Sequence, residues 1–380
     1  MANQPPPLSI ALSDDRRRLV VAWADGRTTT APAPWLYDNA DGAFDPASGH
    51  RLGGGLALDG ARALESARLD GDTVVLRFTP GGAERRVLLS ALSSCEPGRP
   101  REAAELWLSA VASPPAPPFG FDAYMTDDGA LADVLNALVR RGIVFLSGAG
   151  SGPGAVEKLV QRFGYVRETN YGRLFDVREE TGAATHLAYT AVGLELHTDN
   201  PYRDPEPTLQ VLHVIEAAED GGESLFADGF AHAEAMRAAA PARFAVLAAT
   251  PVEFAYEGQA GERYAARAAI FETAPWGDLK AVRVNHRALR PIPLTCAAIE
   301  AWYEAYVDFY ARVHAPEALL ARRLASGDIV MFDNRRILHG RTAYAAAPGG
   351  RWLQGCYAER DGLLATLRRL ERRAAPGGGR

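Results

Sequence analysis

Short apolar runs broken by Gly, Pro and Asp occupy the first hundred residues, and they predict strands. Arg18–Trp23 and Thr73–Phe78 are rich in β-branched and aromatic side chains, with Asp25-Gly26 and Pro80-Gly81-Gly82 as turns beside them. Ser113-Pro-Pro-Ala-Pro-Pro118 reads as a stiff polyproline-type linker and marks the domain boundary. Beyond it the periodicity changes. Residues 127–139 repeat apolar positions at helical spacing behind an acidic start. Gly142–Leu146 then reads as a strand, and Pro153 opens a short helix. Leu209–Ile215 is mostly apolar and predicts a buried strand. Ala301–Val313 predicts an aromatic-rich helix, and Gly327–Asp333 and Trp352–Tyr357 predict two further strands on either side of His339. No internal repeat is visible. The chain therefore divides into a β-rich segment, residues 1–112, a linker, 113–120, and a larger domain, 121–373, with a disordered tail at 374–380.

Composition narrows the class. The chain has 380 residues, 47% apolar and 23% charged, with 41 Lys plus Arg against 47 Asp plus Glu, a net charge of −6. No basic excess points to nucleic acid. The apolar runs are too short to span a bilayer, and the first residues lack the basic and apolar regions of a signal peptide. Cys95, Cys296 and Cys356 show no paired spacing, which argues against a disulfide scaffold or thiolate zinc site and fits a reducing cytoplasm.

The chemistry gathers around His197-Thr198-Asp199 and the distant His339. Two imidazoles and a carboxylate are the ligand set that holds non-haem Fe(II) on one face and leaves the other open. At a strand end, residues i and i+2 point the same way, so His-x-Asp supplies two adjacent ligands. Either histidine alone is more often structural. The joint pattern is stronger, because Arg351 lies twelve positions past His339 at the start of an apolar strand. A buried strand has little use for Arg unless an anion pairs with it. A dicarboxylate co-substrate gives that reason, with the guanidinium forked onto its distal carboxylate and the hydroxyl of Ser224 beside it.

The stretches His197–Arg203, Pro207–His213, Gly221-Gly-Glu-Ser224 and Asp228-Gly-Phe230, with Phe332-Asp-Asn334, Leu338-His-Gly-Arg341 and Arg351–Tyr357, resemble the γ-butyrobetaine dioxygenase family. These are Fe(II)/2-oxoglutarate oxygenases related to taurine dioxygenase. The likeness covers most of residues 120–370 and touches the N-terminal segment at Trp35–Asn39. It implies a mainly β fold with flanking helices, a double-stranded β-helix (jelly-roll) core preceded by a small β-rich domain. It implies Fe(II) on His197, Asp199 and His339, and 2-oxoglutarate on Arg351 and Ser224. O2 is the oxidant and ascorbate the auxiliary reductant. The implied reaction decarboxylates 2-oxoglutarate to succinate and hydroxylates an unactivated C–H bond.

The family holds a trimethylammonium group, which has no N–H to donate, against aromatic faces. The matching positions are Tyr171, Phe175, Tyr189 and Tyr357; Phe175 stands where the animal enzyme has Trp. Asn200, Asn285 and Arg287 are placed to meet the anionic end of such a substrate. For Arg287 a solvated loop charge is an equal reading. His186 replaces an Asn that helps hold a carboxylate, which leaves γ-butyrobetaine and 2-(trimethylammonio)ethylphosphonate both open. The N-terminal segment lacks the zinc cysteines of animal members, and His50 alone cannot make a four-ligand site. No zinc is expected there, and the domain reads as a packing or homodimer module.

Other readings fall away on the residues. The Gly-rich Ser147–Gly154 fits no nucleotide-loop pattern. His213 reads as a core histidine, and His232 and His314 as packing residues. Arg368–Arg373 reads as an exposed helix end, and Cys356 as buried and inert. A non-catalytic betaine sensor would have lost iron ligands, and a halogenase would lack Asp199.

Overall fold

The computed structural model describes residues 6–45, 47–52, 63–92, 104–108, 117–178, 192–258, 261–344 and 351–374. It forms two compact units, residues 1–100 and 101–380. In the first, two three-stranded antiparallel sheets (Pro7–Leu12, Arg18–Trp23, Thr28–Pro32; and Ala63–Asp70, Thr73–Thr79, Glu84–Leu88) share a core with the helix Ala33–Asp38. Alternate residues Leu19, Val21 and Trp23 face that core, as the period-two pattern requires.

The second unit is a two-sheet sandwich. The larger sheet runs in the order Phe175–Arg178, Trp352–Ala358, Leu209–Glu216, Ile329–Asp333, Ile143–Ser147, Phe119–Gly120. The smaller runs Leu194–His197, Ile337–Arg341, Ser224–Asp228, Leu320–Arg322. Apart from the Phe119–Gly120 edge the pairing is antiparallel. Val330 and Phe332 point between the sheets, where Phe226 meets Phe145 and Phe332 edge-on at 5.9 and 5.8 Å. Ile329 and Met331 face the other way, onto the helices Asp128–Arg141 and Arg360–Ala374. Burial on both faces is why this strand reads as an unbroken apolar run. The helices Gly229–Ala239, Pro241–Ala249 and Cys296–His314 cover the smaller sheet. Layer order and helix placement are those of a jelly roll with flanking helices. No helix among the described residues is long and apolar enough to cross a membrane.

Some elements differ from the expected ones. The unit boundary falls at residue 100, before the proline-rich stretch, because Trp107 is buried in the second unit and its N–H donates to Asp228 Oδ2 at 3.1 Å. The aromatic helix starts at Cys296 rather than Ala301. Pro153 lies in a turn, and the helix Ala155–Gln161 follows Gly154 at φ +91°. Residues 113–116, half of the linker, and 375–380 of the tail lie outside the described residues.

One buried ion pair ties the second unit together. Arg336 forks onto Asp228 at 3.1 and 2.7 Å and also donates to the carbonyls of Arg140 and Glu105. Asp228 is fully buried. Asp228→Ala strands that guanidinium, so urea unfolding is expected to show a loss of about 3–5 kcal/mol.

Candidate metal and substrate site

His197 ends one strand of the smaller sheet, and register sets it directly opposite His339 on the next. Their rings lie 4.4 Å apart between centroids. Gly340 allows this approach: a Cβ there would stand 2.5 Å from the Leu194 carbonyl oxygen. Asp199 Oδ1 lies 3.2 Å from His197 Nε2 and 3.9 Å from His339 Nε2. The three donor atoms fall within 4.8 Å of one another. His197 Nδ1 sits 2.9 Å from the Glu195 carbonyl, so a proton held there leaves Nε2 free as a ligand. Phe332 packs against the His339 ring at 4.8 Å.

Protonation suits a cation. Burial, with the neighbouring His197, pushes His339 down to about 3, so it is neutral at pH 7. Burial alone would raise Asp199, but its hydrogen bonds to His197 and Tyr357 and the neighbouring imidazoles hold it well below the usual carboxylate range. A neutral His339, an ionised Asp199 and the Nε2 of His197 on one face fit ferrous iron. Asn334, fully buried, fixes the third ligand: Oδ1 accepts from the Asp199 N–H at 2.8 Å and Nδ2 donates to the Asp199 carbonyl at 3.0 Å.

A cavity of about 180 Å³ opens over this face. It brings together His197, Asp199, His339, Ser224, Arg351, Tyr171, Phe175, Tyr357, Asn200, Asn285 and Arg287. His186 and Tyr189 lie outside the described residues. On one side of the cavity, Arg351 is 8% exposed with no carboxylate in ion-pair range among the described residues. Burial, with the nearby Arg341, lowers it to about 10, so it stays charged at neutral pH. Ser224 faces Arg341 in the strand register.

On the other side the rings cluster. Between ring centroids, Phe175 lies 5.1 Å from Tyr357 and 6.4 Å from Tyr171, both pairs tilted. Tyr357 also donates to Asp199 Oδ2 at 2.7 Å, so one residue serves both the ring cluster and the metal ligand. Burial raises the phenols of Tyr171 and Tyr357, which keeps both rings neutral. Arg287 reaches the cavity with its outer side in solvent, and burial lowers its pKa. Asn200 holds a left-handed φ of +53°; its Oδ1 accepts from Tyr202, and its Nδ2 has no partner among the described residues.

Among the lining residues that escaped the sequence reading are four polar ones: Tyr202, Gln210, Tyr256 and Arg341. Tyr202 and Arg341 stand inside the quoted motifs, so proximity to the ligands was an available signal. Tyr256, stacked on Tyr202 at 5.1 Å, arrives from the distant hairpin Val252–Glu257/Arg263–Ala268 and left none.

A jelly roll with a two-histidine, one-carboxylate face and a buried arginine defines the class of non-haem iron dioxygenases that use 2-oxoglutarate. The model of the taurine catabolism dioxygenase TauD, TfdA family matches residues 110–357. The chain belongs to this family, and it is a dioxygenase that works with Fe(II) and 2-oxoglutarate. It is 34% identical to γ-butyrobetaine dioxygenase of Pseudomonas sp. (strain AK-1) over 93% of each chain. Identity to the Pongo abelii γ-butyrobetaine dioxygenase is 28%, over 96% of this chain and 97% of that one. Mouse mitochondrial trimethyllysine dioxygenase is 30% identical over 67% of this chain and 61% of its own.

Proposed function

We propose that this dioxygenase hydroxylates a small trimethylammonium zwitterion, with γ-butyrobetaine, giving carnitine, as the lead substrate. The observation that carries the reading is the group of neutral rings Tyr171, Phe175 and Tyr357 beside the His197–Asp199–His339 face. Relatives named for γ-butyrobetaine and trimethyllysine, both trimethylammonium compounds, support it. Tyr202 and Tyr256 extend the ring wall. The anionic end is assigned to Arg287 and the Asn200 amide. Bound Fe(II) supplies oxygen activation coupled to decarboxylation of 2-oxoglutarate. The chain holds the co-substrate through Arg351 and Ser224, orients the quaternary ammonium and excludes water from the cavity. A cytoplasmic location belongs to the same reading; Cys296 and Cys356 are both free thiols.

A second substrate, 2-(trimethylammonio)ethylphosphonate, is favoured by the guanidinium of Arg287, which suits a group with three oxygens. Succinate release with Fe(II), ascorbate and 2-oxoglutarate, compared for the two compounds, separates them. Faster turnover of the first supports carnitine formation; faster turnover of the second assigns Arg287 and Asn200 to a phosphonate. No turnover with either discards the trimethylammonium reading. Phe175→Leu removes one π-face from the cation, and its substrate KM is expected to rise about tenfold or more. An unchanged KM would remove Phe175 from the cage.

A further inference from the structure

The segment after the carboxylate ligand is gripped at two places by two different residues. Asn334 brackets the Asp199 peptide from both sides. Two residues further on, Arg283 takes over. It follows the strand Leu279–Val282 and is 4% exposed. Its Nη1 donates to the carbonyls of Pro201 and Arg203, each at 3.1 Å. Its Nη2 donates to Glu206 Oε2 at 2.5 Å and Glu272 Oε1 at 3.0 Å. Glu206 is itself buried and lies 3.0 Å from Arg335 Nε. A planar guanidinium serves two carbonyls and two carboxylates at once, which an ammonium cannot do.

Asn200 lies between the two grips and Tyr202 inside the second, and both line the cavity. Asn200 holds a left-handed backbone conformation, one that Asn adopts more readily than most L-residues. The turn closes through the Arg203 N–H on the Asn200 carbonyl at 3.1 Å. Both anchored carbonyls, Pro201 and Arg203, directly flank Tyr202.

We infer that Arg283 is a positioning residue for the substrate: by fixing the Pro201 and Arg203 carbonyls it aims Asn200 and Tyr202 into the cavity, while Asn334 separately fixes the metal ligand. The inference rests on the reading that Asn200 and Tyr202 face the substrate. It divides the loop's work, so loosening Arg283 harms substrate placement and spares metal and co-substrate.

The test is Arg283→Lys in the full chain. The KM for γ-butyrobetaine is expected to rise about tenfold, the loss of one hydrogen bond to a charged group. The ratio of hydroxylated product to succinate falls, because 2-oxoglutarate is consumed without a correctly placed C–H. Mn(II) affinity and 2-oxoglutarate binding to the Mn(II) protein stay within about twofold, a change too small to count as a lost contact. Hydrogen exchange quickens in peptides covering 200–206 and not in those covering 329–341. A parallel fall in Mn(II) and 2-oxoglutarate affinity would reduce Arg283 to a general structural role and overturn the inference, as would unchanged substrate KM and coupling. Should the wild type not accept γ-butyrobetaine, the functional reading fails, and the exchange comparison still decides: selective quickening at 200–206 supports the grip, and none overturns it. Glu272→Gln, which keeps the Arg283–Glu206 pair, guards against misfolding and is expected to give the same pattern with a smaller fold-change.

Discussion

Alanine at either His197 or Asp199 is expected to abolish substrate-dependent succinate formation and to lower Fe(II) or Mn(II) affinity by at least a hundredfold. The two positions fail for different reasons. His197→Ala removes a ring whose tautomer is set by the Glu195 carbonyl. Asp199→Ala removes the negative charge that the remaining imidazole ligands cannot replace, and it strands the Tyr357 hydroxyl. Titration of the purified variants with Mn(II), alongside succinate release, separates metal loss from misfolding, since neither side chain belongs to the apolar clusters that build the fold. Turnover at the wild-type rate in either variant would remove the triad assignment.

Arg351→Ala should raise the KM for 2-oxoglutarate by two orders of magnitude or more, because truncating one partner of a buried charge pair costs about 2–5 kcal/mol. The same change should not lower the thermal midpoint of the ligand-free protein. In that state the guanidinium is buried beside Arg341 with no carboxylate in reach among the described residues, and its lowered pKa reflects the cost. Removing an uncompensated charge is neutral or stabilising. Affinity lost with stability kept is the signature of a group retained for its ligand. An unchanged KM would place the co-substrate elsewhere, and a large fall in stability would make Arg351 a structural residue.

The metal face was readable because its ligands are encoded locally: His197 and Asp199 share one strand end, and His339 sits in a motif with its own neighbours. The larger sheet was readable for a related reason, since strands buried on both faces, such as Ile329–Asp333, run apolar from Ile329 to Phe332. The substrate wall was legible only in part. Tyr171, Phe175 and Tyr357 came from resemblance, whereas Tyr256 is set in place by a hairpin whose pairing no local pattern announces. Arg287 was balanced between a solvated charge and a site residue, and the fold carries one end of it to the cavity and leaves the other in water. The compact units divide at residue 100, ahead of the proline-rich stretch: proline content marks stiffness, while Trp107 is what ties residues 104–108 to the larger unit. Arg283 is surrounded in sequence by apolar residues and gives no sign there of the two carbonyls it holds.

Gly340 carries no functional group, yet it governs the spacing on which the metal face depends. With its neighbour strand's carbonyl oxygen 2.5 Å from where a Cβ would stand, any side chain drives the two histidine-bearing strands apart. The gap between the imidazoles is thus a tolerance set by backbone thickness, machined into the sheet and independent of the imidazoles themselves. A search for engineered iron affinity in this scaffold has no room to work at that position, and must act through the residues that aim the ligands instead.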